Sequence, residues 1–103
     1  MNYGIQQKDW DRVFSIFSHY PHIQKAILFG SRAKGTHKPY SDVDIALKGT
    51  EISLHDLLQI KTEIDDLLLP YEFDFCIFHH LKNADLVSHI RRRGQTLYVR
   101  TQD

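Results

Sequence analysis

The residues that could do chemistry stand close together in LFGSRAKGTHKPYSDVDIAL, residues 28–47. A Gly30-Ser31 pair is followed, after a spacer of ten residues, by Asp42 and Asp44. Glycine lets the backbone come close to a ligand, and exposed N–H groups with a serine hydroxyl can hold phosphate oxygens. Paired carboxylates are the oxygen ligands that a hard divalent cation prefers. The stretch therefore predicts a phosphate cradle joined to a metal clamp.

A third carboxylate, Asp74, lies in the apolar segment YEFDFCIF, residues 71–78. Successive side chains of a strand point to opposite faces, so Asp42 and Asp44 share the face opposite to the apolar residues between them. Asp74 has the same parity in its own strand, and it joins the pair if the two strands are neighbours. Three adjacent carboxylates repel one another unless a cation lies between them. Magnesium suits such a site, since it completes its coordination with water and substrate phosphates.

Apolar periodicity predicts the elements that must position these residues. A stripe at three- and four-residue spacing predicts a first helix that ends at Pro21. Its members are Trp10, Val13, Phe14, Phe17 and Tyr20. Short apolar runs predict three strands, and a fourth run predicts a short edge strand. These runs are QKAILFG, SDVDIALKG, YEFDFCIF and TLYV.

Two further helices are expected between and after the strands. Ser53 is a good N-cap with Asp56 three residues later, and Pro70 closes that helix. Its predicted buried side consists of Leu54, Leu57, Leu58, Ile64, Leu67 and Leu68. The last helix is predicted over residues 83–93, before Gly94. The alternation predicts one domain, residues 1–103, of the α+β (α/β) class, with a sheet covered by helices.

Composition limits the possible functions. The 103 residues contain 13 Lys plus Arg and 13 Asp plus Glu, so the overall charge indicates neither a nucleic-acid nor an anionic-membrane partner. The N-terminal residues do not resemble a signal peptide, the only cysteine is Cys76, and no apolar run approaches the length of a membrane span. We therefore expect a soluble, cytoplasmic protein. A domain this small also makes a partner chain plausible.

Together, Gly30-Ser31, the ten-residue spacer, Asp42-Val43-Asp44 and the later Asp74 resemble the signature of the DNA polymerase beta-like nucleotidyltransferase superfamily. The longer string FGSRAKG…YSDVDIAL is similar to the minimal nucleotidyltransferases, or MNT-domain proteins. The resemblance covers nearly the whole chain. It implies the nucleotidyltransferase fold, with a small mixed β-sheet of three to four strands flanked by helices.

The resemblance implies a metal role for the carboxylates. Asp42 and Asp44 would bind Mg²⁺, with two ions expected, and Asp74 would complete the site and help to deprotonate the acceptor hydroxyl. All three are thus predicted catalytic and metal-binding residues. In a two-metal site the attacking and leaving oxygens are both stabilised, so a nucleoside monophosphate is transferred in line from a triphosphate.

The same resemblance implies a nucleotide-binding role for the cradle. Gly30 and Ser31 would hold the β- and γ-phosphates of ATP or another nucleoside triphosphate. Arg32 is predicted as a third nucleotide-binding residue because its charge suits a phosphate, although the family pattern does not define its contact.

A partner is implied as well. Domains that resemble this one commonly act beside an all-helical HEPN-family protein in toxin–antitoxin pairs. The nucleotidyltransferase is then the antitoxin, and it moves AMP from ATP to a tyrosine of the toxin. The alternative is a catalytically weak or inactive antitoxin or scaffold that neutralises the helical partner by contact. Transfer to an antibiotic or to RNA is less favoured, since larger relatives with those activities carry extra domains. A homodimer and a hetero-oligomer both remain open.

Several of these features also have simpler structural interpretations. Asp42 alone is consistent with a solvated start of a strand, and Glu72 shares the strand parity of Asp74. The basic run at 91–93 is interpreted as a solvated helix end that interacts well with the helix dipole, with a partner or RNA contact as the lesser alternative. Cys76 is predicted to pack rather than to act as a nucleophile. The conjunction of the glycine-serine turn with the carboxylates favours the catalytic interpretation.

Overall fold

The computed structural model describes residues 2–101, in which four helices alternate with four strands. The elements are α1 (Gln7–Ser18), β1 (Lys25–Phe29), α2 (Ser31–Lys34), β2 (Val43–Lys48), α3 (Leu54–Asp65), β3 (Phe73–Ile77), α4 (Ala84–Arg93) and β4 (Gln95–Val99). A 3₁₀ turn, Phe78–His80, follows β3. Within this described range, no helix is long and apolar enough to cross a membrane.

The strands form one mixed sheet in the order β3-β2-β1-β4. β1 is antiparallel to both β2 and β4, whereas β2 and β3 are parallel neighbours. The parallel pair requires a crossover connection, which α3 supplies. The predicted mixed sheet of three to four strands is confirmed, and so is the edge strand at TLYV.

One face of the sheet is closed by α1 and α3. Val43, Ile45 and Leu47 of β2 all point into this core and are fully buried. The stripe of α1 packs there too, with Trp10 and Phe17 buried, as the periodicity predicted. Aromatic side chains from β3 meet them, so the closed face holds the main hydrophobic core of the described residues.

The opposite face carries a smaller core under α4. Its buried members are Ala46, Phe78 and Ile90. Cys76 packs partly buried against them. α4 and the 3₁₀ turn therefore cover the part of this face near Ala46 and Cys76, while the beginnings of β2 and β3 lie outside this cluster.

The predicted N-cap at Ser53 is confirmed. Ser53 Oγ accepts a hydrogen bond from the Asp56 N–H, and the Asp56 carboxylate accepts one from the Ser53 N–H, which makes a capping box at the start of α3. At the start of α4, Asn83 Oδ1 accepts a hydrogen bond from the Leu86 N–H. These bonds satisfy N–H groups that have no partner within their helix.

The predicted buried side of α3 was too wide. Three of the six residues are exposed: Leu54 by 61%, Leu58 by 58% and Leu68 by 88%. The buried positions are Ile60 and Ile64, one helical turn apart. The helix also ends at Asp65 rather than continuing to Pro70, so Leu68 lies beyond it. Adjacent residues of a helix point about 100° apart, so Leu57 and Leu58 cannot both lie at the centre of one buried face.

Candidate active site

The parallel pairing of β2 and β3 sets Asp44 directly beside Asp74, because the two residues are register partners. Partners on neighbouring strands lie about 5 Å apart with their side chains on the same face. Asp42 precedes β2 by one residue and keeps the parity of Asp44. Asp44 is partly buried, whereas Asp42 and Asp74 are exposed. The expected adjacency of the second and third strands is thus confirmed.

The glycine-serine turn touches this acidic group. Phe29, the last residue of β1, is the register partner of Asp44, so the chain turns away at Gly30 right beside that carboxylate. Gly30 has a φ of 78°, and a Cβ built there would overlap the Asp44 carboxylate. Only glycine fits without displacing it. Ser31 follows as the first residue of α2.

The negative charges of the site repel one another, and burial makes this repulsion stronger. Burial raises the pKa of Asp44, and the negative charges of Asp74 and Asp42 raise it further. The neighbouring Cys76 thiol has its pKa raised to about 11, first by burial and then by Asp74 and Asp44. Both shifts have the sign expected when anionic groups share a partly desolvated space, and a bound cation would relieve both.

A comparison with known protein families shows the family to which this chain belongs. The sequence pattern described as polymerase beta, nucleotidyltransferase matches residues 11–103. The chain belongs to this nucleotidyltransferase family. The resemblance seen in the sequence is thereby confirmed, and the protein is a nucleotidyltransferase. No curated protein sequence matches the chain.

Solved structures with the same fold include several toxin–antitoxin complexes. A toxin–antitoxin with AMP-PNP aligns with a TM-score of 0.72 and 19% identity, covering 88% of this chain and 73% of that one. The MntA-HepT toxin–antitoxin aligns at 0.67 and 18%, covering 92% and 74%. A tri-AMPylated Shewanella oneidensis HEPN toxin in complex with MNT antitoxin aligns at 0.67 and 17%, covering 93% and 74%. These likenesses confirm the α+β nucleotidyltransferase fold.

Arg32 of this nucleotidyltransferase lies in a different environment from the one expected for a phosphate ligand. The side chain is 2% exposed, and its guanidinium donates hydrogen bonds to the carbonyl oxygens of Tyr3 at 2.9 Å, Ser41 at 2.9 Å and Pro39 at 3.3 Å. Burial lowers its pKa. These contacts tie the segment before α1 to the loop that leads into Asp42.

The sequence contained no signal for this arrangement, since an arginine beside a glycine-serine turn looks like a phosphate ligand. The contacts favour a positioning role for Arg32, in which it holds the loop before Asp42. A direct contact between Arg32 and the nucleotide stays a prediction.

The donor set of the nucleotidyltransferase fits magnesium through a pair of carboxylates. Across residues 2–101, no three His, Cys, Asp or Glu side chains converge closely enough to form a metal-ion cage. Magnesium commonly takes one or two carboxylates from a protein and the remaining oxygens from water and phosphates. Asp44 and Asp74 on neighbouring strands meet that requirement, with Asp42 beside them.

Proposed function

We propose that this nucleotidyltransferase, with Mg²⁺, transfers AMP from ATP to a tyrosine hydroxyl of an all-helical HEPN-family partner and so acts as its antitoxin. The observation that carries the proposal is the strand register that sets Asp44 beside Asp74, with Gly30 against Asp44. Two of the complexes with this fold add support, one containing AMP-PNP and the other an AMPylated HEPN toxin.

In the proposed reaction, Gly30 and Ser31 orient the triphosphate, and Asp44 would hold the cation together with Asp42 and Asp74. Bound there, Mg²⁺ would neutralise phosphate charge and make the acceptor hydroxyl more acidic. The acceptor oxygen attacks the α-phosphorus, and the bond from that phosphorus to the pyrophosphate oxygen breaks. The exposed Asp74 carboxylate takes the hydroxyl proton. Positioning and charge neutralisation provide most of the rate enhancement in such transfers.

The exposed leucines of α3 favour a second candidate, in which the protein neutralises its partner by contact alone. Leu54 and Leu58 are one helical turn apart and largely exposed. Apolar side chains clustered on a surface are a common mark of a protein–protein interface. This contact candidate needs none of the carboxylates, so the two candidates are separable by substitution.

The test is to incubate the protein with ATP, Mg²⁺ and a purified HEPN partner, and to measure the mass of the partner. We expect added AMP with the wild-type protein and none with Asp42→Asn or Asp44→Asn. Asp74→Asn should also abolish transfer. Glu72→Gln is its matched control, because Glu72 is exposed, has the same strand parity and pairs with Lys61.

A different set of results would support neutralisation by contact alone. If the Asp42→Asn and Asp44→Asn proteins still neutralise the toxin and no AMP is ever attached, the transfer proposal is wrong. In that case Leu58→Glu should abolish neutralisation without unfolding the protein, since Leu58 is 58% exposed. If Glu72→Gln rather than Asp74→Asn removes transfer, the assignment of Asp74 is wrong.

A further inference from the structure

An open cavity of about 610 Å³ lies between α2, the end of α4 and the start of β4. We call it the cationic pocket. It is lined by Ala33, Lys34, His89, Arg92, Arg93 and Gln95. Its volume is in the range of small-molecule binding sites. No Phe, Tyr or Trp is among these six, so the lining offers mainly charge and hydrogen-bond donors.

The cations of the cationic pocket form no salt bridge with any of the described residues. Within the described residues 2–101, both ion pairs involve Lys61, and none involves Lys34, Arg92 or Arg93. His89 shares a helix face with both arginines because it lies three and four residues before them. The helix dipole explains why cations are tolerated at the end of α4, but it does not explain the cavity or the lysine contributed by α2.

Strand order places the cationic pocket beside the catalytic carboxylates. Gln95 of β4 pairs with Leu28 of β1, and the next residue, Phe29, pairs with Asp44 of β2. Acidic residues, the glycine-serine turn and the cationic pocket therefore follow one another along the same end of the sheet. The distance from β2 to β4 is two strand spacings, or about 10 Å.

We propose that the cationic pocket binds the terminal phosphates of the nucleoside triphosphate and the released pyrophosphate. Its part in the reaction rests on the proposed function, whereas its affinity for oligophosphate does not. Arginine and lysine form strong charge-assisted hydrogen bonds with phosphate. When the bond at the α-phosphorus breaks, its electron pair leaves on pyrophosphate, and fixed cations stabilise that developing charge. In this arrangement Arg92 and Arg93 contact the leaving pyrophosphate.

Calorimetric titration with tripolyphosphate in the absence of Mg²⁺ tests the affinity directly. We expect Arg92→Gln and Arg93→Gln each to weaken binding about fivefold, the scale of exposed charge contacts, because both side chains are exposed. Arg91→Gln is the matched control, since it removes the same charge from the same helix turn. Arg91 lies over the Phe78 ring, 5.7 Å from its centroid, and does not line the cationic pocket. This variant should bind within about twofold of wild type.

A second titration separates the phosphate tail from the rest of the nucleotide. Arg92→Gln and Arg93→Gln should weaken ATP binding and leave AMP binding unchanged. The inference is overturned if wild-type protein does not bind tripolyphosphate, or if Arg91→Gln weakens binding as much as the other two variants. It is also overturned if a short single-stranded RNA loses affinity in the two variants while tripolyphosphate and ATP do not, because the surface would then serve nucleic acid.

The two proposals fail in different ways. Tripolyphosphate binding that depends on Arg92 and Arg93, in a protein that transfers no AMP, would support the cationic pocket and remove the proposed function. AMP transfer that continues in both variants, with unchanged affinity for ATP and tripolyphosphate, would support the proposed function and overturn the inference about the cationic pocket.

Discussion

The two faces of the sheet differ in how completely they are covered. On the closed face, α1 and α3 bury Val43 and Ile45 with no exposed surface. On the open face, α4 covers the sheet near Ala46, but Asp44 remains partly exposed and Asp74 is exposed. The same two strands thus provide stability on one side and a reactive surface on the other.

This difference in coverage explains how the fold tolerates the carboxylates of Asp42, Asp44 and Asp74. An ionised carboxylate without a partner is very unfavourable in a closed apolar core. At the edge of a partly covered face, water can solvate Asp42 and Asp74. Partial burial of Asp44 still raises its pKa, so the open face retains some of this unfavourable energy.

The largest expected effect compares two adjacent residues of β2 on opposite faces. Ile45→Ala should lower the free energy of unfolding by about 3 kcal/mol, because it leaves a cavity in the closed core. Asp44→Asn should not lower it. Urea unfolding of both variants checks this, and a small loss for Ile45→Ala would mean that the closed face is not the main source of stability.

The next comparison uses two glycines that share a positive φ but differ in ψ, which is −156° at Gly30 and 11° at Gly35. Gly30 and Gly35 have φ values of 78° and 79°, but an added Cβ meets Asp44 only at Gly30 and open space at Gly35. Gly35→Ala should lose about 1 kcal/mol of stability from backbone strain, and Gly30→Ala about 1–3 kcal/mol, because its φ and ψ fall in a region that essentially only glycine adopts. Only Gly30→Ala should also lower AMP transfer, by about a hundredfold, since small displacements of reacting groups have effects of this size.

Equal transfer rates in the two alanine variants would contradict the close approach of Gly30 to Asp44. Thermal unfolding of both proteins provides the control, because transfer rates measured at a temperature where both variants are fully folded exclude a general loss of folding as the cause.

Cys76 reports on the electrostatics of the open face. Its pKa of about 11, against an ordinary value of 9.0, lowers the thiolate fraction at pH 8 about a hundredfold. Alkylation by iodoacetamide should therefore be slow near neutral pH and should accelerate as the pH rises. Asp74→Asn should accelerate it at pH 8 by removing one negative neighbour, whereas Glu72→Gln should not. Rapid alkylation of the wild-type protein at pH 7 would show that Cys76 is not in this environment.

The smallest expected effect is on stability as a function of pH. Because the native pKa of Asp44 is raised, the native state binds more protons than the unfolded state between the ordinary and the raised value, and stability falls as pH rises through that window. At pH 7 and without Mg²⁺, Asp44→Asn should be more stable than wild type by about 0.5 kcal/mol, since solvent screens this partly exposed group.

Below the window, where the wild-type carboxyl is protonated, the difference between Asp44→Asn and wild type should vanish. Unfolding curves at pH 7 and at strongly acidic pH measure both values. A variant less stable than wild type at pH 7 would contradict the repulsion between Asp44 and its acidic neighbours.

Local patterns predicted most of the secondary structure but less of its packing. Ser53 marked the start of α3 correctly, because a cap bonds to residues only two or three positions away. The predicted length of α3 and the predicted burial of Leu58 and Leu68 were wrong, because burial depends on which other elements cover a helix. Arg32 looked like a phosphate ligand, and its bonds to distant carbonyl groups had no trace in the local sequence.

The sequence by itself determined that Asp42 and Asp44 share a face, since side chains alternate along any strand, and it contained the family signature through the spacing from Gly30. Only the tertiary structure decided that Asp74 stands beside Asp44 and that Lys34 meets Arg92 and Arg93 around one cavity. The physical reason is range. Alternation and capping act between residues a few positions apart, whereas strand order and helix docking depend on the packing of the whole chain.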